Sequence, residues 1–170
     1  TVLLRDVGAA MAFLAGREEV RHIGGLGLSL GGEVLLGASG AYAAIQAIVA
    51  DGATFREVSE YTSLPANRSL VRSFVQHVFT GMVRLLTGDT PPQPTLIEAM
   101  QQTTDTTFLF VAASRDSTEV TYNEYFHETL SQRSQLWVVP EASHIGAFGL
   151  YPAEYEQRVI DFFSRELLGS

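Results

Sequence analysis

Ile23-Gly24-Gly25-Leu26-Gly27-Leu28-Ser29-Leu30-Gly31-Gly32 runs an apolar segment into a serine set between glycines, and Glu33-Val34-Leu35-Leu36 follows. An apolar run that ends in G-x-S-x-G reads as a strand, a sharp turn and a helix. Glycines flank the serine because side chains there would collide, and the helix N-terminus points at the hydroxyl. The five-residue pattern alone is loose, since Gly, Ser and Leu are common. The strand before it and the helix-forming residues after it are what make it informative. Ser29 is therefore a candidate nucleophile.

Working outward, the chain has 170 residues and 46% apolar content, enough for one domain with a substantial core. Eleven basic and nineteen acidic side chains give a net charge of −8, which repels phosphate backbones and excludes a nucleic-acid partner. With no cysteine there is no disulfide, thiolate metal site or cysteine nucleophile, and the compartment is left open. No signal peptide is read, which favours the cytoplasm. The chain begins at Thr1, not Met, and its first element already reads as an amphipathic helix, so a fragment or a processed product is expected.

Leu3, Val7, Ala10, Met11 and Leu14 recur at helical spacing and predict a helix over residues 3 to 19 with one face on a sheet. Strand Ile23 to Leu28 comes next, then the helix after Ser29. The apolar run Val34 to Ala50 is interrupted by Gly37, Ser39, Gly40 and Gln46. It reads as a short helix, a turn near Gly40 and a buried strand from about Ala44 to Val49. Helical stretches are predicted around Ser69 to Leu86 and Thr95 to Gln102, divided by the Pro-rich segment Gly88 to Pro94. Thr95-Leu96-Ile97-Glu98 fits a capping box. A strand at Thr107 to Ala113, a helix near Thr121 to Ser131, a strand at Leu136 to Val139 and a helix opened by Pro152 complete the chain. In that last helix Tyr155, Val159, Phe162, Phe163 and Leu167 share a face. Strands alternating with helices imply an α/β fold with a parallel sheet flanked by helices.

Serine chemistry at neutral pH needs a base to take the hydroxyl proton and an acid to orient that base. His144, in Pro140-Glu141-Ala142-Ser143-His144, follows the strand ending at Val139, and Asp116 follows the strand ending at Ala113. Loops at the carboxyl edge of such a sheet are where active-site groups gather. Glu119 lies after the same strand as Asp116, and Asp51 lies after the strand ending at Val49. We rank Asp116 first as the acid, then Glu119, then Asp51.

With these landmarks the chain resembles the α/β-hydrolase superfamily, and more loosely its dienelactone-hydrolase-like and acyl-CoA thioesterase-like members. The landmarks are Gly27 to Gly32, Phe108 to Asp116, and Pro140 to His144 before a terminal helix. The resemblance runs from about residue 3 to 168 and corresponds to the C-terminal part of that fold, lacking its N-terminal strands. It implies a serine hydrolase acting on an ester, thioester or amide bond of a small-molecule acyl substrate, with no cofactor or metal. Ser29 is then the nucleophile, His144 the base and then the acid, Asp116 the orienting carboxylate, and the Leu30 amide an oxyanion-hole donor. Ser143 stands where many relatives have Gly before the histidine. The loop giving a second oxyanion donor is missing from the match. A sheet lacking its first strands leaves an edge open, so self-association or pairing with an N-terminal segment is expected.

The remaining features have plainer readings. His22, His77 and His127 read as surface or helix-face histidines with no metal-ligand spacing. Glu33 favours the positive end of the helix after Ser29. Asn67-Arg68-Ser69 matches a glycosylation sequon without a secretory signal to support it. Phe148 and Tyr151 either line an acyl pocket or simply pack. A lid-like helical insertion is expected at about residues 55 to 105, and its apolar residues Phe74, Val75, Val78, Phe79, Met82, Val83, Leu85 and Leu86 either cover an apolar substrate or bury against the sheet. A non-catalytic domain of the same fold, serving binding or assembly, is the reading from a different class.

Overall fold

Four apolar runs become the strands of one parallel sheet in the order β1-β2-β3-β4: β1 Ile23–Leu28, β2 Ile45–Asp51, β3 Thr107–Ala113 and β4 Ser134–Val139. The computed structural model describes residues 2–56, 60, 64, 74, 77, 78, 81, 82, 85, 86, 88 and 93–169. Helices connect and cover the strands: α1 Val2–Ala15, α2 Leu30–Ala38, α3 Leu96–Gln102, α4 Ser117–Thr129, α5 Ala147–Leu150 and α6 Pro152–Phe163. Most of the expected insertion, including the sequon at Asn67 and much of the Ser69 to Leu86 stretch, lies outside the described residues.

The period of two along each strand divides the core into two layers. Ile48, Ala50, Phe108 and Phe110 face one side, where they meet Leu36 of α2, Leu96 and Met100 of α3, and Tyr122 and Phe126 of α4. Ala47, Val49, Leu109 and Val111 face the other, against Tyr155 and Phe162 of α6, with Trp137 of β4 in the same cluster. Strands buried on both faces read as continuous apolar runs, and for that reason β2 and β3 carry little polar alternation. Val159, Phe163 and Leu167 support the second layer at its margin, as their shared face predicts.

Boundaries shift where capping or pairing decides them. α4 starts at Ser117, ahead of the expected Thr121, because the Asp116 side chain caps it by accepting from the backbone N–H groups of Thr118 and Glu119 at 2.9 and 3.2 Å. β2 continues to Asp51 because its register with β1 and β3 continues that far. The predicted capping box at Thr95 and Glu98 is present in both directions.

β1 lies at the edge of the sheet, and its Leu26 and Leu28 are exposed. Gly24 and Gly25 there leave room for Phe163 and Leu35, whose side chains a Cβ would crowd. Among the described residues no helix is long and apolar enough to cross a membrane, and no group of three or more His, Cys, Asp or Glu is placed to hold a metal ion.

Phe110 is fully buried, with its ring 5.9 Å from Phe108 and 5.8 Å from Phe126. Its replacement by alanine is expected to lower the unfolding free energy by about 3–5 kcal/mol, measured by urea denaturation.

Candidate active site

The site is assembled at the carboxyl edge of the sheet from three separate loops. The first is the turn between β1 and α2. Ser29 occupies it with φ 51° and ψ −122°, a backbone conformation that costs a non-glycine residue about 1–3 kcal/mol and persists only where its surroundings over-determine it. They do so here. The Ser29 N–H donates to the Asp51 carbonyl at 2.7 Å, continuing the β1–β2 ladder, and the Ser29 carbonyl accepts from the Glu33 N–H at 3.2 Å, opening α2.

The flanking glycines are not equivalent. A Cβ on Gly27 would fall onto the backbone of Gly31 and Gly32, whereas a Cβ on Gly31 would meet nothing within 4 Å. The expectation that both glycines avoid collisions holds at Gly27 and is corrected at Gly31. Leu30 is the first residue of α2, so its N–H belongs to the first helical turn, where donors lack intrahelical acceptors.

The second loop follows β3 and leads into α4. The third follows β4 and carries His144. They are tied together by the Ser114 N–H donating to the Val139 carbonyl at 3.1 Å and the Arg115 N–H donating to the Ala142 carbonyl at 3.0 Å. Outside them Arg115 and Glu141 form an exposed ion pair at 2.6 Å. Such a pair adds little to stability. His144 and its neighbour Ile145, with φ 51°, turn the chain back towards Ser29, and the Gly146 N–H closes the turn on the Ser143 carbonyl at 2.7 Å.

In this arrangement His144 Nε2 lies 2.8 Å from Ser29 Oγ across 115 residues of sequence, while Nδ1 contacts Glu119 Oε1. The His144 side chain is about half exposed and that of Glu119 fully buried. The other oxygen of Glu119 accepts from the Ala113 N–H at 2.9 Å, which fixes the carboxylate from the strand end. A base with one nitrogen on a hydroxyl and the other on a buried carboxylate is equipped to take a proton and to tolerate the resulting charge.

Asp116, ranked first as the acid, is not the residue that reaches His144. Its carboxylate is committed to the N-terminus of α4, and Glu119, one turn further along, points into the site instead. Asp-Ser-Thr-Glu at 116–119 has the spacing of an N-cap and an N3 acid, and that signal could have separated the two carboxylates in advance.

Asp51, the third candidate, is buried beneath the site at the end of β2. Burial pushes its carboxyl up to about 6, against a smaller lowering by the neighbouring Tyr155 hydroxyl. Glu33 does more than complement the helix end: it accepts from the Thr54 N–H and hydroxyl at 3.3 and 3.2 Å, tying α2 to the loop after β2, and burial raises its pKa.

The other histidines lie elsewhere. His22 Nδ1 pairs with Gln46 Oε1 at 3.0 Å, and His127 Nδ1 pairs with Ser134 Oγ at 2.9 Å on a partly buried face. Leu28, Leu30, Ile145 and Phe148 are exposed beside the serine and the histidine in sequence, and Phe148 meets Tyr155 edge-on at 5.8 Å. Phe74, Val78, Met82, Leu85 and Leu86 are also exposed, so those residues do not bury against the sheet. A cavity of about 640 Å³ lined by Met11, Leu14, Ile23 and Tyr42 opens at the opposite end of β1 from Ser29.

No family model and no curated protein sequence matches the chain. Solved structures do. An esterase from Pyrococcus furiosus superposes with a TM-score of 0.67 at 21% identity, covering 96% of this chain and 62% of that one. Dienelactone hydrolase from Anabaena variabilis gives 0.59 at 19%, with 96% and 59% covered, and an α/β hydrolase from a Penicillium species gives 0.61 at 13%, with 97% and 71% covered. The chain thus has the α/β-hydrolase fold, and it spans about 60% of the length of the Pyrococcus and Anabaena proteins.

Gly27→Ala is expected to abolish soluble, folded protein, because backbone has no room to yield. Gly31→Ala is expected to fold normally and to gain up to about 1 kcal/mol in helix α2, as read by thermal melting.

Proposed function

We propose that this chain carries the catalytic residues of a serine hydrolase cleaving a carboxylic ester or thioester through an acyl-enzyme. The observation that carries the reading is the placement of His144 Nε2 at 2.8 Å from Ser29 Oγ with its Nδ1 on the buried Glu119. Glu119 takes the role first assigned to Asp116.

Ser29 Oγ attacks the acyl carbon while His144 Nε2 accepts the hydroxyl proton. The positive charge this leaves on the imidazole is stabilised by Glu119. The developing oxyanion is met by the Leu30 N–H at the start of α2, where the helix dipole adds a favourable field. Collapse breaks the bond to the alcohol or thiol, and the leaving group takes the proton from His144. Water then attacks the acyl-serine, His144 accepts its proton and returns it to Ser29 Oγ, and the carboxylic acid is released. The exposed apolar side chains of Leu28, Leu30, Ile145 and Phe148 suit an apolar acyl group. This chemistry needs no metal or cofactor.

Labelling by a fluorophosphonate probe and turnover of p-nitrophenyl butyrate test the reading against the non-catalytic one. The wild-type chain is expected to be labelled, and Ser29→Ala to be unlabelled. Glu119→Gln is expected to lose roughly 10³–10⁴-fold in kcat. Asp116→Ala is expected to retain kcat and lose about 1 kcal/mol of stability as a helix cap. A folded wild-type chain that neither labels nor turns over the ester establishes the binding-module reading instead.

A further inference from the structure

Among the described residues, Asp51 is the one strongly buried carboxylate at the site to which the proposed reaction gives no task. It is 2% exposed at the last position of β2, paired with Leu28 on one side and Val111 on the other. Its carbonyl holds the Ser29 N–H, and the next residue, Gly52 at φ +71°, lies so close under the imidazole that a Cβ there would be 3.0 Å from His144 Cε1 and 3.1 Å from Nδ1. By alternation along the strand its side chain shares a face with Ala47 and Val49, the layer covered by α6, whereas Glu119 comes from α4 in the opposite layer. Two carboxylates from opposite faces of the sheet therefore act on one imidazole, Glu119 by direct contact and Asp51 through space.

Asp51 is not held there by a full set of hydrogen bonds. Its Oδ2 is buried with no partner in hydrogen-bond geometry among the described residues, and the Tyr155 hydroxyl stands beside it outside that geometry. The charged or titratable side chains that act on it are Tyr155 from α6, Glu119 from α4 and His144 from the loop after β4. A buried carboxylate held this way is a liability for folding. A leucine or asparagine at the end of β2 would avoid it.

We propose that Asp51 is a positioning residue of the hydrolytic site, a second buried carboxylate that acts through His144 by stabilising the charge formed there during proton transfer. The proposal rests on the serine-hydrolase reading. The pH sense follows from the direction of the Asp51 shift. Its folded value, about 6, is raised above the ordinary 3.8. Its contribution to stability is therefore present in full below the ordinary value and is lost as pH rises through about 6, where the buried group ionises. The ionised form, the one the proposal requires, is thus the less stable one.

The test is Asp51→Asn, read by p-nitrophenyl butyrate kinetics, fluorophosphonate labelling rate and thermal melting across pH 5 to 9. The expected result is a kcat lowered roughly tenfold or more with KM little changed. The acidic limb of the kcat/KM profile is expected to become less steep, because the Asp51 ionisation is gone while the base His144 must still be unprotonated, and the Tm at pH 8 is expected to equal or exceed that of wild type. A merely structural residue gives the reverse, a lower Tm with kcat preserved, and that result overturns the proposal. If Asp51→Asn does not fold, Tyr155→Phe serves. Without the hydroxyl that favours its ionisation, Asp51 titrates higher and the limb moves to higher pH; an unmoved limb overturns the proposal. Failure of the wild-type chain to label overturns the serine-hydrolase reading and this proposal together, whereas normal labelling of wild type with an unchanged Asp51→Asn kcat overturns this proposal alone.

Discussion

The strained backbone of Ser29 is the constraint from which the rest of the site follows. A positive φ at a non-glycine residue has to be held from both sides, and here the last ladder bond to Asp51 and the first helical bond from Glu33 do so. Both depend on β1 being seated on β2, and β2 on β3. The two core layers keep that sheet in place, so the aromatic cluster around Phe108, Phe110, Tyr122 and Phe126 supports the serine without touching it. Sheet, turn and serine form one mechanical unit.

Much of this was legible in the letters. The strands Ile23–Leu28 and Thr107–Ala113 were readable to the residue because apolar runs bounded by turn residues have few alternative readings. Ser29 and His144 were readable because each sits where a strand ends. The carboxylate that meets His144 was harder. Asp116 and Glu119 are both acidic, both follow β3 and differ by less than one helical turn, so position alone does not rank them. What ranks them is competition for partners: an aspartate immediately before a helix is claimed by the orphan N–H groups of that helix, and the longer glutamate three residues on is left to reach across. Gly31 was misjudged for a related reason. The pattern G-x-S-x-G treats its glycines alike, whereas only coordinates tell that Gly27 faces backbone and Gly31 faces open space.

Buried acidity is the recurring theme around this sheet edge. Glu119 is compensated by the Ala113 N–H and by His144, while Glu33 is half-compensated by Thr54. Asp51 is compensated least. Groups of this kind weaken a fold and are retained where a reaction needs their charge.

Ser29 and His144 are both carried by the borders of the described sheet. β1 and β4 are its two outer strands, with β2 and β3 between them. The loops after β3 and β4 are stitched together by two backbone bonds, and the turn at Ser29 is tied to β2 by one. The contact between Ser29 Oγ and His144 Nε2 therefore joins loops that leave opposite margins of the sheet, and a shift of either outer strand against the inner pair changes its length.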